Sequence, residues 1–262
     1  MSTRLTLLLL ALIAAPAVNA QTKVDCERFG WWGRRGAADG HVCMARDLTL
    51  PASAALTVDA RPNGGISVTG EDRRDVQVRA VVHAWARDDA EAARVANEVD
   101  VRTDGVLRAE GPDSDSRAGW SVSFEIRTPR DIDLSLETQN GGIALESIHG
   151  DVDFETVNGG VTLNGLAGNV RGNTTNGGVT ARLTGDTWDG VGLDVATTNG
   201  GVHVSVPDGY SARLDASSVN GGISVGFPVT VQGRIGREIS TTLGRGGPLV
   251  RVRTTNGGVR VE

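Results

Sequence analysis

Residues 154–163 read FETVNGGVTL, residues 172–181 read GNTTNGGVTA, and residues 195–204 read VATTNGGVHV. The shared tripeptide, Asn-Gly-Gly, starts at Asn63, Asn140, Asn158, Asn176, Asn199, Asn220 and Asn256. From Asn140 to Asn220 the starts are 18, 18, 23 and 21 residues apart. A tripeptide recurring at that period is the signature of a stacked array.

Aligned on each Asn, the flanks alternate. Six residues before it stand Leu134, Val152, Val170, Leu193, Leu214 and Val250, and two before it stand five Thr and Ser218. Three after it stand Ile143, Val161, Val179, Val202, Ile223 and Val259. Period two on both sides of a turn predicts two half-buried strands per repeat. Asn-Gly predicts a tight turn with positive φ, and the second Gly is expected where one backbone passes close to its neighbour. Equivalent positions keep the same residue class, which favours strands paired one coil along over consecutive hairpins. The expected fold is therefore all-β: an elongated, β-helix-like β-solenoid of 18–23-residue Asn-Gly-Gly coils. It carries one short α-helix and a disulfide-bonded N-terminal segment.

Outside the repeats the register changes. Val76, Val78, Ala80 and Val82 alternate as a strand. Asp88-Asp89 can cap a helix reaching Val99, with Ala92, Ala93, Ala96 and Val99 on one face. Asp104-Gly105 marks a hairpin, and Gly244-Arg245-Gly246-Gly247 a flexible turn inside an enlarged final coil. The division expected is 1–20 a signal peptide, 21–50 a disulfide-bonded segment and 51–262 the solenoid. Within the last, 51–129 form an irregular cap and 130–262 the repeats.

Met1–Ala20 has one charge at Arg4, an apolar run from Leu5 to Ala15, and Val18-Asn19-Ala20 at the end. That is the layout of a secretory signal peptide. No later run is long and apolar enough to span a membrane as a helix. The protein is expected in a periplasm, secreted, or on a cell surface. Cys26 and Cys43 are the sole cysteines, and an even pair behind a leader reads as one disulfide. The loop between them holds Trp31 and Trp32, candidates either for partner binding or for covering the open end of the solenoid.

Pro62-Asn63-Gly64-Gly65-Ile66, then Asp75-Val76-Gln77-Val78, the Ala-rich helix and the Thr-x-Asn-Gly-Gly-Val run resemble a bacterial exported β-strand-repeat family of unknown function. Its members carry the label "putative adhesin", and the resemblance covers about residues 50–262. It implies an exported solenoid with a binding or structural role and transfers no catalytic residue.

Formal net charge is -6, and no basic stripe suggests nucleic acid. The four histidines share no ligand spacing and read as surface or loop residues, so no metal or cofactor is expected. Glu137, Asp153 and Glu155 would meet on neighbouring coils, either as a solvated charged face or near enough to hold a cation or act as paired carboxylates. Asp153, Arg171 and Asp194 would alternate in sign along one column. On the opposite face stand Ala144, Thr162, Thr180, His203, Ser224 and Arg260, with Glu146, Asn164, Arg182, Ser205 and Gly226 two residues further on. That face is flat and nearly neutral, open to a glycan or an envelope protein. The function expected is a non-enzymatic, adhesin-like binding or scaffold module of the cell envelope. A partner-binding component of envelope stress surveillance is the alternative, and a carbohydrate-active enzyme comes third.

Overall fold

A computed structural model describes residues 17–18, 21–26, 40–228 and 236–262. Trp31 and Trp32, and most of residues 1–20, lie outside the described residues. The described residues are all-β, with one helix, in a sheet of twelve strands and a sheet of ten. The segment before each Asn-Gly-Gly lies in the ten-stranded sheet and the segment after it in the twelve-stranded one. His149–Asn158 and Val161–Asn164 are one such pair, and they do not pair with each other. Each strand instead pairs in parallel with its counterpart, so that Val161 faces Val179 and Val179 faces Val202.

The alternating pattern sorts side chains as its period requires. Val152, Phe154, Thr156, Val161 and Leu163 are buried, and Asp153, Glu155 and Thr162 between them face out. The inward sets form one continuous core that runs from Leu48 to Val261. The inward threonines are polar groups in an apolar layer and need partners. Each hydroxyl donates to the first glycine carbonyl of the adjoining tripeptide: Thr156 to Gly141 at 2.9 Å, Thr174 to Gly159 at 2.8 Å and Thr197 to Gly177 at 2.7 Å.

The glycines act differently from the sequence expectation. Among the seven tripeptides, Gly257 alone has φ in the left-handed range, at 155°. At Gly177 the constraint is close approach: a Cβ there would stand 2.0 Å from the Gly159 carbonyl oxygen. At Gly178 the nearest atom would be 3.3 Å away. It is the first glycine, not the second, that lets neighbouring backbones meet.

The order of stacking also departs from chain order. Leu249–Asn256 pairs with Gly192–Asn199 on one side and with Ala212–Asn220 on the other. The last tripeptide is therefore inserted between those of Asn199 and Asn220, which makes the Asn220 segment the end of the stack. The enlarged final coil holds, before the turn expected at Gly244-Arg245-Gly246-Gly247, the strand Glu238–Leu243. That strand runs antiparallel to Ala212–Asn220 and forms the edge of the ten-stranded sheet.

At the other end Gly40–Pro51, Asp75–Ala86 and Gly119–Pro129 form an antiparallel extension of the twelve-stranded sheet. Gly119–Pro129 joins it to the stack by pairing in parallel with Ile66–Glu71. The helix Asp89–Glu98 packs on these three strands. Its N-cap is Asp88, which accepts from the Glu91 N–H at 2.9 Å. Ala92 and Ala96 are fully buried, as the helical spacing predicts. Asp100–Arg102 and Val106–Glu110 form the expected hairpin. Cys26 is bonded to Cys43. No helix among the described residues is long and apolar enough to cross a membrane.

Candidate functional site

Parallel in-register pairing turns every outward position into a ladder, so the candidate sites are faces. On the ten-stranded sheet the column five residues before Asn runs, in space, Ser135, Asp153, Arg171, Asp194, Arg251, Asp215. The inserted final strand puts Arg251 between two aspartates. Its guanidinium lies 3.6 Å from Asp194 and 3.5 Å from Asp215, and Arg253 donates to Asp194 at 2.7 Å. Arg171 stands in register with Asp153 and Asp194, while its Nε donates to Asn169 at 3.2 Å.

A depression of about 450 Å3 lies on this face, lined by Glu137, Asp153, Glu155, Arg171 and Arg253 among others. Beneath it Phe154 covers Gly172, whose missing side chain is what makes room: a Cβ there would sit 2.4 Å from the ring. Glu137 and Glu155 are in register. The positive charge at this end is Arg61, 2.8 Å from Asp59 and 2.5 Å from Glu137. Hydrogen bonding from Arg61 holds the Asp59 carboxyl below the usual carboxylate range. Arg61 was not singled out from sequence, because it precedes Pro62 outside the repeat register. Glu137, Asp153 and Glu155 do not converge as a ligand set. Among the described residues the group whose metal-binding atoms do converge is Cys26, Cys43 and His83.

The opposite face, on the twelve-stranded sheet, carries a shallow trough of about 550 Å3 lined by Thr180, Gly201, His203, Gly222, Ser224 and Arg260. It is less neutral than its column suggests. Glu262 sits six residues after Asn256, at the same offset as Glu146 and Asn164. Its carboxylate takes the His203 Nε2 contact at 2.7 Å and a bond from Arg260 Nε at 2.6 Å. Those two partners, Arg260 first, hold Glu262 below the ordinary carboxylate range.

Two of the histidines are not scattered. His41 Nδ1 lies 3.3 Å from His83 Nε2, with the rings stacked. His83 is buried, and burial, with His41 beside it, pushes its pKa down to about 4. Strand pairing over 40 residues of separation brought them together, and no sequence spacing could signal it.

The parallel strands of the stack, the tripeptide bends, and Asp75–Ala86 and Gly119–Pro129 of the antiparallel extension fall within residues 53–262, which match the model of the Toastrack DUF4097 family. The chain belongs to the Toastrack DUF4097 family. No curated protein matches it. Solved structures similar to this Toastrack chain include a "putative cell adhesion protein" from Clostridium sporogenes, 12% identical over 83% of this chain and 98% of that one, with a TM-score of 0.45. A "putative adhesin" from Bacteroides fragilis is 11% identical over 84% and 97%, with a TM-score of 0.32. A "putative lipid binding protein" from Parabacteroides distasonis is 9% identical over 88% and 98%, with a TM-score of 0.34.

Proposed function

We propose that this Toastrack protein is a non-enzymatic, adhesin-like binding or scaffold module exported to the bacterial cell envelope. In this reading the leader is removed after Ala20, and the rest is an elongated β-solenoid of Asn-Gly-Gly coils. The observation that carries the reading is the trough on the twelve-stranded sheet. Its floor is glycine backbone, its walls are Thr180, Ser224 and His203, and Arg260 and Glu262 supply one of each charge. Backbone pairing of every strand holds that floor rigid, so little conformational entropy is lost when a partner settles on it. Small hydroxyl groups over glycine backbone, beside a charged pair, suit a polar, extended partner, an envelope glycan or a protein strand. The disulfide and the leader-like N-terminus are the support for export. Trp31 and Trp32 are then either a second contact or the cover of the cap end.

The test is capture from envelope extracts and on glycan arrays by the parent and by a Thr180→Glu, Ser224→Glu double variant. Loss of capture with an unchanged melting midpoint is expected. Equal capture by both proteins would remove the trough from the function. In a separate arm, a Trp31→Ala, Trp32→Ala variant that melts with the parent but captures less would make those rings the contact. Turnover of cell-wall polysaccharide by the parent would overturn the non-enzymatic reading.

A further inference from the structure

We propose that Cys26, Cys43 and His83 form, when the disulfide is reduced, a site for a soft divalent cation of the zinc class. The two sulfurs and a ring nitrogen of His83 all lie within 4.8 Å of one another. Strand pairing sets Cys43 beside His83 and brings the chain leading to Cys26 alongside Cys43. Cys43 lies opposite His83 in the twelve-pair antiparallel ladder between Gly40–Pro51 and Asp75–Ala86. Cys26 follows the strand Thr22–Val24, in which Val24 is opposite Cys43. The Cα atoms of the two cysteines are 5.4 Å apart, close enough for both sulfurs to turn to one ion.

Two thiolates and an imidazole favour zinc-class ions over calcium or magnesium, which take oxygen ligands. Three protein ligands leave the fourth tetrahedral position to water, and Cys26 is partly exposed, which opens a path from solvent. In the oxidised chain each sulfur is bonded to the other and neither offers a thiolate. Occupancy of the site therefore reports thiol state: open before oxidation, closed once the disulfide forms.

The reductant is a phosphine. It breaks the S–S bond, each sulfur ends as a thiol, and the phosphine becomes its oxide with oxygen from water. Metal binding then displaces the two thiol protons to buffer.

The experiment titrates cobalt(II), a spectroscopic stand-in for zinc, into the full chain with its disulfide reduced by a phosphine without oxygen, with circular dichroism recorded in parallel. One cobalt per chain is expected, with thiolate-to-cobalt charge-transfer and tetrahedral d–d bands, and displacement by zinc. The oxidised protein and the Cys26→Ser and Cys43→Ser variants should lack the bands. His83→Gln should weaken binding at least tenfold and shift the d–d bands, because a nitrogen ligand is lost. Unchanged bands and affinity in His83→Gln would overturn the site, leaving mere binding to two thiols. Absence of the bands in the reduced, folded parent would overturn it too. So would loss of the sheet signal on reduction, since the proposed site belongs to the folded ladder.

Discussion

The side-chain amide of Asn256 donates to Asn199 Oδ1 at 2.7 Å across 57 residues of sequence, and Asn220 lies outside both, donating to Asn256 at 2.8 Å. Asn140, Asn158, Asn176 and Asn199 continue the chain of bonds, each donating to the one before at 2.8 Å or, for Asn140 to Asn63, 2.9 Å. The result is one asparagine ladder along the line of bends. Its repeat matches the strand spacing, because each amide bridges neighbours about 4.8 Å apart.

Asn199 sits inside that ladder, with a neighbour on each side. Asn199→Ala should cost about 1 kcal/mol, at the low end for two hydrogen bonds because the row is exposed. Asn199→Asp should cost more at neutral pH. It removes the donor to Asn176 and places a charge in the row. Chemical denaturation of both variants checks the order. An Asp variant as stable as the parent would count against the ladder.

Gly177→Ala should lower stability by about 1–3 kcal/mol, since its Cβ would meet the Gly159 carbonyl and the two strands would have to part. Gly178→Ala has more room and should cost clearly less. Melting midpoints of the two variants decide between close approach and turn conformation. Equal losses would argue against close approach.

Phe154 is nearly buried over Gly172. Phe154→Ala should cost about 3–5 kcal/mol through the cavity it leaves. Adding Gly172→Leu, harmful alone, should recover part of that loss, because the new side chain enters the vacated space. Strict additivity of the two changes in a double-mutant cycle would show that they do not share the space.

Arg251 lies between Asp194 and Asp215. Arg251→Ala should cost less than about 1 kcal/mol, because the pairs are part-exposed and screened. Arg251→Glu aligns three like charges and should cost more, with the deficit shrinking as salt is added. Melting in low and high salt reads this out. A deficit independent of salt would point to packing instead.

Asp59 titrates below its unfolded value because Arg61 hydrogen-bonds its carboxylate. A depressed folded pKa means the stabilisation is present above the unfolded pKa and is lost as pH falls through the folded one. Asp59→Asn should thus be less stable than the parent near neutrality, by up to about 1 kcal/mol for so open a pair. The gap should close as pH falls below about 3.9. Urea unfolding of both proteins across that range is the check. A gap that widens in acid would reverse the assignment.

Much of this architecture was legible because a strand writes its burial into every second residue. Val152, Phe154, Val161 and Leu163 announce an inner face without reference to any partner. Helix Asp89–Glu98 was equally local, signalled by its Asp88 cap and the Ala92–Ala96 spacing. The signs of Asp194, Asp215 and Arg251 agree with the order of the last strands that the structure shows. Stacked in chain order, the two aspartates would adjoin; with Arg251 between them the charges alternate. Glu262 was missed, although it stands at the same offset as Glu146 and Asn164.

The sequence by itself determined the repeat, the inward and outward faces and the pairing of Cys26 with Cys43, since each rests on local period or on a count of two. Only the tertiary structure decided the insertion of the Asn256 segment, the role of the first glycine and the meeting of His41, His83 and the cysteines. Those depend on which strand lies beside which. Parallel partners of like composition are interchangeable in a pattern read along the chain, and the choice is made by contacts between backbones far apart in sequence.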